Sequence, residues 1–165
     1  MVHISSSAAL WFLPFAVIIS IWVAWSDMKF MKIPNKAVTA LLIVFVVIGV
    51  VALPFEVWAW RWLHVAVVLA IGFVANAVGL LGAGDAKFAA AIAPYVPLAD
   101  VSTILYLFAA VLLGAFATHR LFRAIPAWRA YTADWQSWEH KDFPMGLALG
   151  GTLSFYLVIG AIYGP

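Results

Sequence analysis

The sequence of 165 residues contains no cysteine, so disulfides, thiolate nucleophiles and cysteine-ligated metals are excluded from the outset. Charge is almost as scarce: nine Lys and Arg stand against seven Asp and Glu, a formal net charge of +2. That balance is too weak, and its basic residues too scattered, to make the electrostatic stripe that nucleic acid requires, so no nucleic-acid partner is expected. The four histidines show no ligand-like spacing, His64 and His119 among them, and no metal site is expected. What remains is apolar. Hydrophobic residues make up 67% of the chain, more than a soluble domain of this length can bury, and the composition specifies a polytopic, all-α membrane protein.

The hydropathy pattern predicts six transmembrane helices, at residues 8–25, 37–54, 62–81, 86–97, 101–118 and 145–162. Most have the length needed to cross about 30 Å of hydrocarbon. The fourth is the weak one, because Lys87 to Val96 is short and is punctuated by Pro94 and Pro97. The first run lacks a basic leading region and a small-residue cleavage site, so it reads as a retained span. No barrel-like alternation is present, and lipid leaves helices as the remaining way to satisfy a spanning backbone. Six alternating spans gather Lys29, Lys32, Lys36, Lys87, Arg120, Arg123, Arg129 and Lys141 on one side and leave Arg61 on the other. The positive-inside bias then makes the basic side cytoplasmic and both termini non-cytoplasmic. Residues 1–165 are expected to form one membrane-embedded domain in the cell's inner membrane, in contact with lipid, with 119–144 as a cytoplasmic interfacial segment.

Two of the few acids are the strongest functional signal. Asp27 and Asp85 each close a long apolar stretch, and each is followed by a lysine two residues on, Lys29 and Lys87. A carboxylate at bilayer depth is costly unless compensated, so such acids point to chemistry. The plain alternative is a pair of interfacial acids neutralised by those lysines. The lysines themselves read as positive-inside anchors or as groups that keep the carboxylates ionised. After Asp27, Ile33-Pro34-Asn35 reads as a tight turn into the second span, since Pro34 disfavours a helical Ile33 and suits a first helical turn. Before Asp85, Gly82 and Gly84 permit backbone conformations and close approaches that a Cβ resists; small-residue helix packing is the competing explanation. Both acids fall on the predicted cytoplasmic face, and spans two and three carry the chain out and back between them.

Gly82-Ala83-Gly84-Asp85-Ala86-Lys87 resembles the Gly-x-Gly-Asp-x-Lys signature of the type IV prepilin peptidases, which are intramembrane aspartic proteases. Asp27 with Lys32-Ile33-Pro34-Asn35 is similar to the first-aspartate motif of that family, and Phe143-Pro144-Met145-Gly146 resembles its Pro-x-Gly entry into the last span. The resemblance implies that Asp27 and Asp85 are the catalytic pair, with Gly82, Gly84, Lys87, Lys29, Pro34 and Asn35 shaping the substrate site. It implies cleavage of the basic leader from prepilins or pseudopilins at the cytoplasmic face, with the pilus assembly machinery downstream. It also implies no metal and no organic cofactor. Longer members carry two Cys-x-x-Cys pairs and N-methylate the product. This cysteine-free sequence resembles the short form associated with Flp/Tad pili, so methyltransferase activity is not expected.

Three further expectations complete the reading. Trp128, Tyr131, Trp135 and Trp138 recur at intervals of 3, 4 and 3 residues, which predicts an amphipathic helix on the cytoplasmic leaflet, as an anchor or as a substrate-docking flap. Asn76 in span three reads as a hydrogen-bonding partner across the bundle, and Trp25, Trp58, Trp60 and Trp62 as interfacial belts. A non-enzymatic transporter or channel subunit with Asp27 and Asp85 as an ion relay is the alternative, and it requires polar residues at mid-span, where the sequence is apolar.

Overall fold

The computed structural model describes residues 2–165, and among them there are helices and no strands. Seven α-helices follow in order: α1 (Ser6–Phe30), α2 (Asn35–Ala52), α3 (Phe55–Ala77), α4 (Ala83–Ile92), α5 (Val101–Ala124), α6 (Pro126–Tyr131) and α7 (Met145–Tyr163). Short 3₁₀ turns lie at Ala93–Tyr95, Leu98–Asp100 and Gln136–Trp138. Five segments are long and apolar enough to cross a membrane: Ser6–Phe30, Asn35–Ala52, Phe55–Ala77, Leu98–Ala124 and Met145–Tyr163. The chain is a multi-pass membrane protein.

α1 and α7 form the central antiparallel pair. The Ser6 amide donates to the Pro165 carbonyl at one end, and the Gly146 amide donates to Asp27 at the other. Glycine makes the close packing possible: a Cβ on Gly150 would lie 2.9 Å from the Ser20 carbonyl oxygen, and one on Gly160 would lie 2.6 Å from Ile4 Cγ2. α2 packs on α1 through Phe12 and Phe45, which stack on each other and meet Tyr95 edge-on in the middle of the apolar core. α3 and α5 are peripheral and bury little of themselves. Their exposed Leu63, Val67, Ile71, Leu105 and Leu113 suit contact with lipid, which carries no penalty for apolar surface.

Two expected boundaries move. The third helix begins at Phe55, straight after Pro54, and ends at Ala77 instead of running to 81. Gly79 adopts φ +77°, a left-handed conformation that terminates it, and Asn76 Nδ2 donates to the Leu81 carbonyl within the same loop. Asn76 therefore closes a local turn and does not bridge the bundle. The expected fourth span is a ten-residue helix continued by two 3₁₀ turns, too short as a helix to cross on its own. Its two ends are nevertheless tied to opposite ends of the bundle. Gly84 packs on Ile33 beside the end of α1, while Asp100 accepts hydrogen bonds from the His3 and Ile4 amides at the other end.

That far end is held by Asp100, which is fully buried. Its carboxylate accepts from the His3 amide at 2.9 and 2.8 Å, from the Ile4 amide at 3.2 Å and from the Tyr156 hydroxyl at 2.6 Å, with His3 Nδ1 at 2.7 Å. Nearby, the buried Arg61 donates to the Pro94 and Tyr95 carbonyls, and Tyr95 Oη donates to the Leu41 carbonyl at 2.7 Å. These bonds satisfy the backbone that the short fourth helix leaves open, which is the condition for irregular chain inside an apolar bundle.

Candidate active site

The opposite end of the bundle carries Asp27 and Asp85. Asp27 sits in the last turns of α1 and is 5% exposed. The helix ends because Met31 turns into the left-handed region (φ 49°), its amide donating to the Asp27 carbonyl at 2.8 Å. Ser26 Oγ donates to the Lys32 carbonyl at 2.9 Å, folding the chain back, and Pro34 in extended conformation caps α2 at Asn35. The Pro34–Asn35 turn predicted from the sequence is therefore present, and its function is to bring Ile33 and α2 against the end of α1.

Asp85 lies in the first turn of α4, outside the five long apolar segments. Gly82 caps that helix, and a Cβ there would lie 2.5 Å from Asp85 Oδ2, so a side chain at this position would push the Asp85 carboxyl aside. Gly84 is looser, its nearest neighbour being Ile33 Cβ at 3.4 Å from the Cβ position, an ordinary contact. The Asp85 carboxyl is pushed up to about 6, chiefly by burial and then by the charge of Asp27, with the Gly82 backbone opposing in part. Two carboxyls from segments far apart in sequence thus meet in one electrostatic environment.

The third contributor to this end is the start of α7. The Gly146 amide donates to Asp27 Oδ2 at 2.7 Å. A Cβ on Gly146 would lie 2.9 Å from Asp27 Cβ and 3.0 Å from Val23 Cγ1. Glycine at this position is what lets a helix N-terminus, with its unpaired amides, reach the carboxylate. The Pro144-x-Gly146 motif signalled an entry into the last helix; its contact with Asp27 is visible only in the fold.

The lysines do not reach their neighbouring acids. Lys29 Nζ pairs with Asp134 Oδ2 at 2.6 Å and lies over the Trp25 and Phe30 rings. That contact holds the exposed Asp134 carboxyl below the usual carboxylate range. Lys87 Nζ approaches Asn35 Oδ1 at 3.4 Å, tying α4 to the start of α2. Residues two apart on a helix point away from one another, which is why both lysines turn to other partners.

The segment 119–144 departs from the single amphipathic helix expected there. It forms the six-residue α6 and a separate 3₁₀ turn. Trp138 is 2% exposed, stacked on His119 and Trp135, with its Nε1 donating to Thr132. The segment is pinned to the end of α1 by the Lys29–Asp134 pair and a weak Ser137 to Met28 contact. Two of the belt tryptophans also turn inward: Trp58 donates to the Phe45 carbonyl, and Trp62 packs edge-on against the Phe45 ring.

The profile of the type IV leader peptidase family matches residues 14–119, from within α1 to within the C-terminal part of α5. The chain belongs to the type IV leader peptidase family. Both aspartates, the Pro34 turn and the Gly82–Asp85 segment fall inside the matched region, whereas Gly146 and the 120–144 segment fall outside it. Neither a curated protein nor a solved structure matches the chain. Family membership indicates a protease of the leader-peptidase kind, with prepilin-type substrates in general.

Proposed function

We propose that this leader peptidase is an intramembrane aspartic endopeptidase, with Asp27 and Asp85 as its catalytic pair, that removes the basic leader of Flp/Tad-type prepilins. What supports the reading is the placement of two carboxyls at one end of an apolar bundle: Asp27 at the end of α1 under the Gly146 amide, and Asp85 in the first turn of α4 where Gly84 meets Ile33, with burial and then the charge of Asp27 raising the Asp85 carboxyl. Burial and like-charge proximity make such a pair keep one proton between them to a higher pH than a lone carboxyl would, up to about 6 for Asp85. The ionised member takes a proton from a water, the protonated member polarises the scissile carbonyl, and the two exchange roles as the amine leaves. The pair titrates as a unit, so the chemistry does not depend on which oxygen holds the proton first. The Gly146 amide fixes one oxygen of Asp27 and leaves the other for water.

The same reading sets the topology. With Ala86–Pro97 counted as a sixth, partly irregular crossing, both acids stand at the cytoplasmic face of the inner membrane and both termini on the other side. A substrate whose basic leader stays in the cytoplasm presents its cleavage site at that depth. An ion relay finds little support, because the interior between the acids and the Asp100 end is lined by Phe12, Leu41, Phe45, Leu153 and Leu157.

The test is a gel-shift cleavage assay on a Flp-type prepilin in reconstituted membranes. Asp27→Asn and Asp85→Asn should each stop conversion of prepilin to pilin while the protein remains inserted. Near-parental conversion by either variant removes that residue from the pair.

A further inference from the structure

We propose that the hollow between the end of α5 and the α6 segment is a binding site for the phosphodiester headgroup of an anionic membrane lipid. The hollow has a volume of about 450 Å³ and is lined by Arg123, Arg129, Pro126, Ala130, Trp138 and Glu139 among others. Its two guanidiniums come from different helices, Arg123 from the last turn of α5 and Arg129 from α6. Neither has a carboxylate partner among the described residues, where the ion pairs are His3–Asp100, Lys29–Asp134 and His140–Asp142. Two planar donor forks facing one cavity suit the oxygens of a phosphate.

The surroundings indicate where that phosphate comes from. Arg123 closes a long apolar helix, and the flanking Leu121, Ile125, Trp128 and Tyr131 are exposed. Exposed aromatic and aliphatic side chains beside arginines at a span's end place the hollow at headgroup depth, with acyl chains free to run along the exposed face of α5. The lining charge selects further. Glu139 offsets one arginine, so the site carries about one net positive charge and suits a singly charged phosphodiester better than a doubly charged phosphate monoester. The buried Trp138, which stacks on His119 and hydrogen-bonds Thr132, gives the hollow a rigid wall. A lipid held here would anchor the strap that Lys29 and Asp134 tie to the end of α1. This inference does not depend on the catalytic assignment, and its test does not read cleavage.

The experiment is native mass spectrometry of the full chain released from nanodiscs of phosphatidylcholine with a minor fraction of phosphatidylglycerol. The wild type should retain one phosphatidylglycerol in preference to phosphatidylcholine. Arg123→Gln with Arg129→Gln should lower that retention by roughly tenfold or more, since each basic residue at an anionic surface contributes a few-fold. Arg120→Gln is the control, because Arg120 lies over the Phe116 ring and does not line the hollow; it should leave retention unchanged. Glu139→Gln should raise it. Equal retention of the two lipids by the wild type, or an Arg120→Gln loss as large as that of the double variant, overturns the proposal. Displacement of the lipid by millimolar inorganic phosphate overturns the lipid source and points to a soluble anion.

Discussion

The two ends of the bundle treat a buried carboxylate in opposite ways. At one end Asp100 is fully enclosed and its oxygens are saturated by two backbone amides, a tyrosine hydroxyl and the His3 ring. At the other, Asp27 has a single side-chain hydrogen bond, from Gly146, and Asp85 stands in the first turn of α4 with only the Gly82 backbone in support. A saturated carboxylate has nothing left to offer a substrate; its bonds hold the N-terminus, α5 and α7 together. An undersatisfied pair has open lone pairs, and the proposed function has it share the proton that activating a water needs. Burial alone therefore does not mark a functional acid. The number of its lone pairs left without a donor does.

The largest expected effect that would sharpen this contrast is at the structural end. Asp100→Ala leaves the Tyr156 hydroxyl and the His3 and Ile4 amides without their acceptor, with Arg61 nearby, and should lower stability by roughly 3–5 kcal/mol. Thermal unfolding in detergent measures it, and an unchanged midpoint would contradict the role given to Asp100. Next is Gly146→Ala. Its Cβ would press on Asp27 Cβ and Val23, with an overpacking cost of about 1–3 kcal/mol and, through misplacement of Asp27, a drop in cleavage of the order of 10²-fold. A rate within twofold of wild type would show that the Gly146 amide does not position the acid.

The third effect is on pH. The Asp85 carboxyl, held near 6, keeps the shared proton below that value and loses it above. Cleavage should therefore fall as pH rises through about 6 to 7, and fall again at low pH once both acids are protonated. The linkage has the same sign. A folded-state value raised above the ordinary one means that stability conferred by the proton is lost as pH rises toward 6, so Asp85→Asn should be at least as stable as wild type at neutral pH. A profile flat from pH 5 to 8 would count against a proton-sharing pair. The smallest effect is at Lys29. Lys29→Gln removes the ion pair to Asp134, and because that partner is exposed and screened the unfolding midpoint should barely move. A large loss of stability would show that the 119–144 segment is held chiefly by that pair and not by Trp138.

Much of the Asp27–Asp85 end was legible in the sequence because its signals are local. An acid ending an apolar run, a proline turn and paired glycines each act within a few residues. The alternative in which each lysine serves the acid two residues before it fails for an equally local reason, since helical geometry turns position i+2 away from position i. The saturated end was not legible: Asp100 meets His3 and Tyr156, which lie 97 and 56 residues away, and nothing near Asp100 announces them. The fourth segment was half legible, because Pro94 and Pro97 warned of a broken helix but not of Arg61 and Tyr95 repairing it. Aromatic spacing in 128–138 suggested one continuous helix, whereas burial of Trp138 against His119 overrides that periodicity and breaks the segment in two.

The most direct test of the contrast is to measure cleavage rate and unfolding midpoint together for Asp85→Asn and Asp100→Asn. The account predicts that Asp85→Asn is inactive with an undiminished midpoint, while Asp100→Asn unfolds earlier yet cleaves at a near-normal rate per folded molecule. An active Asp85→Asn, or a stable but inactive Asp100→Asn, would contradict it.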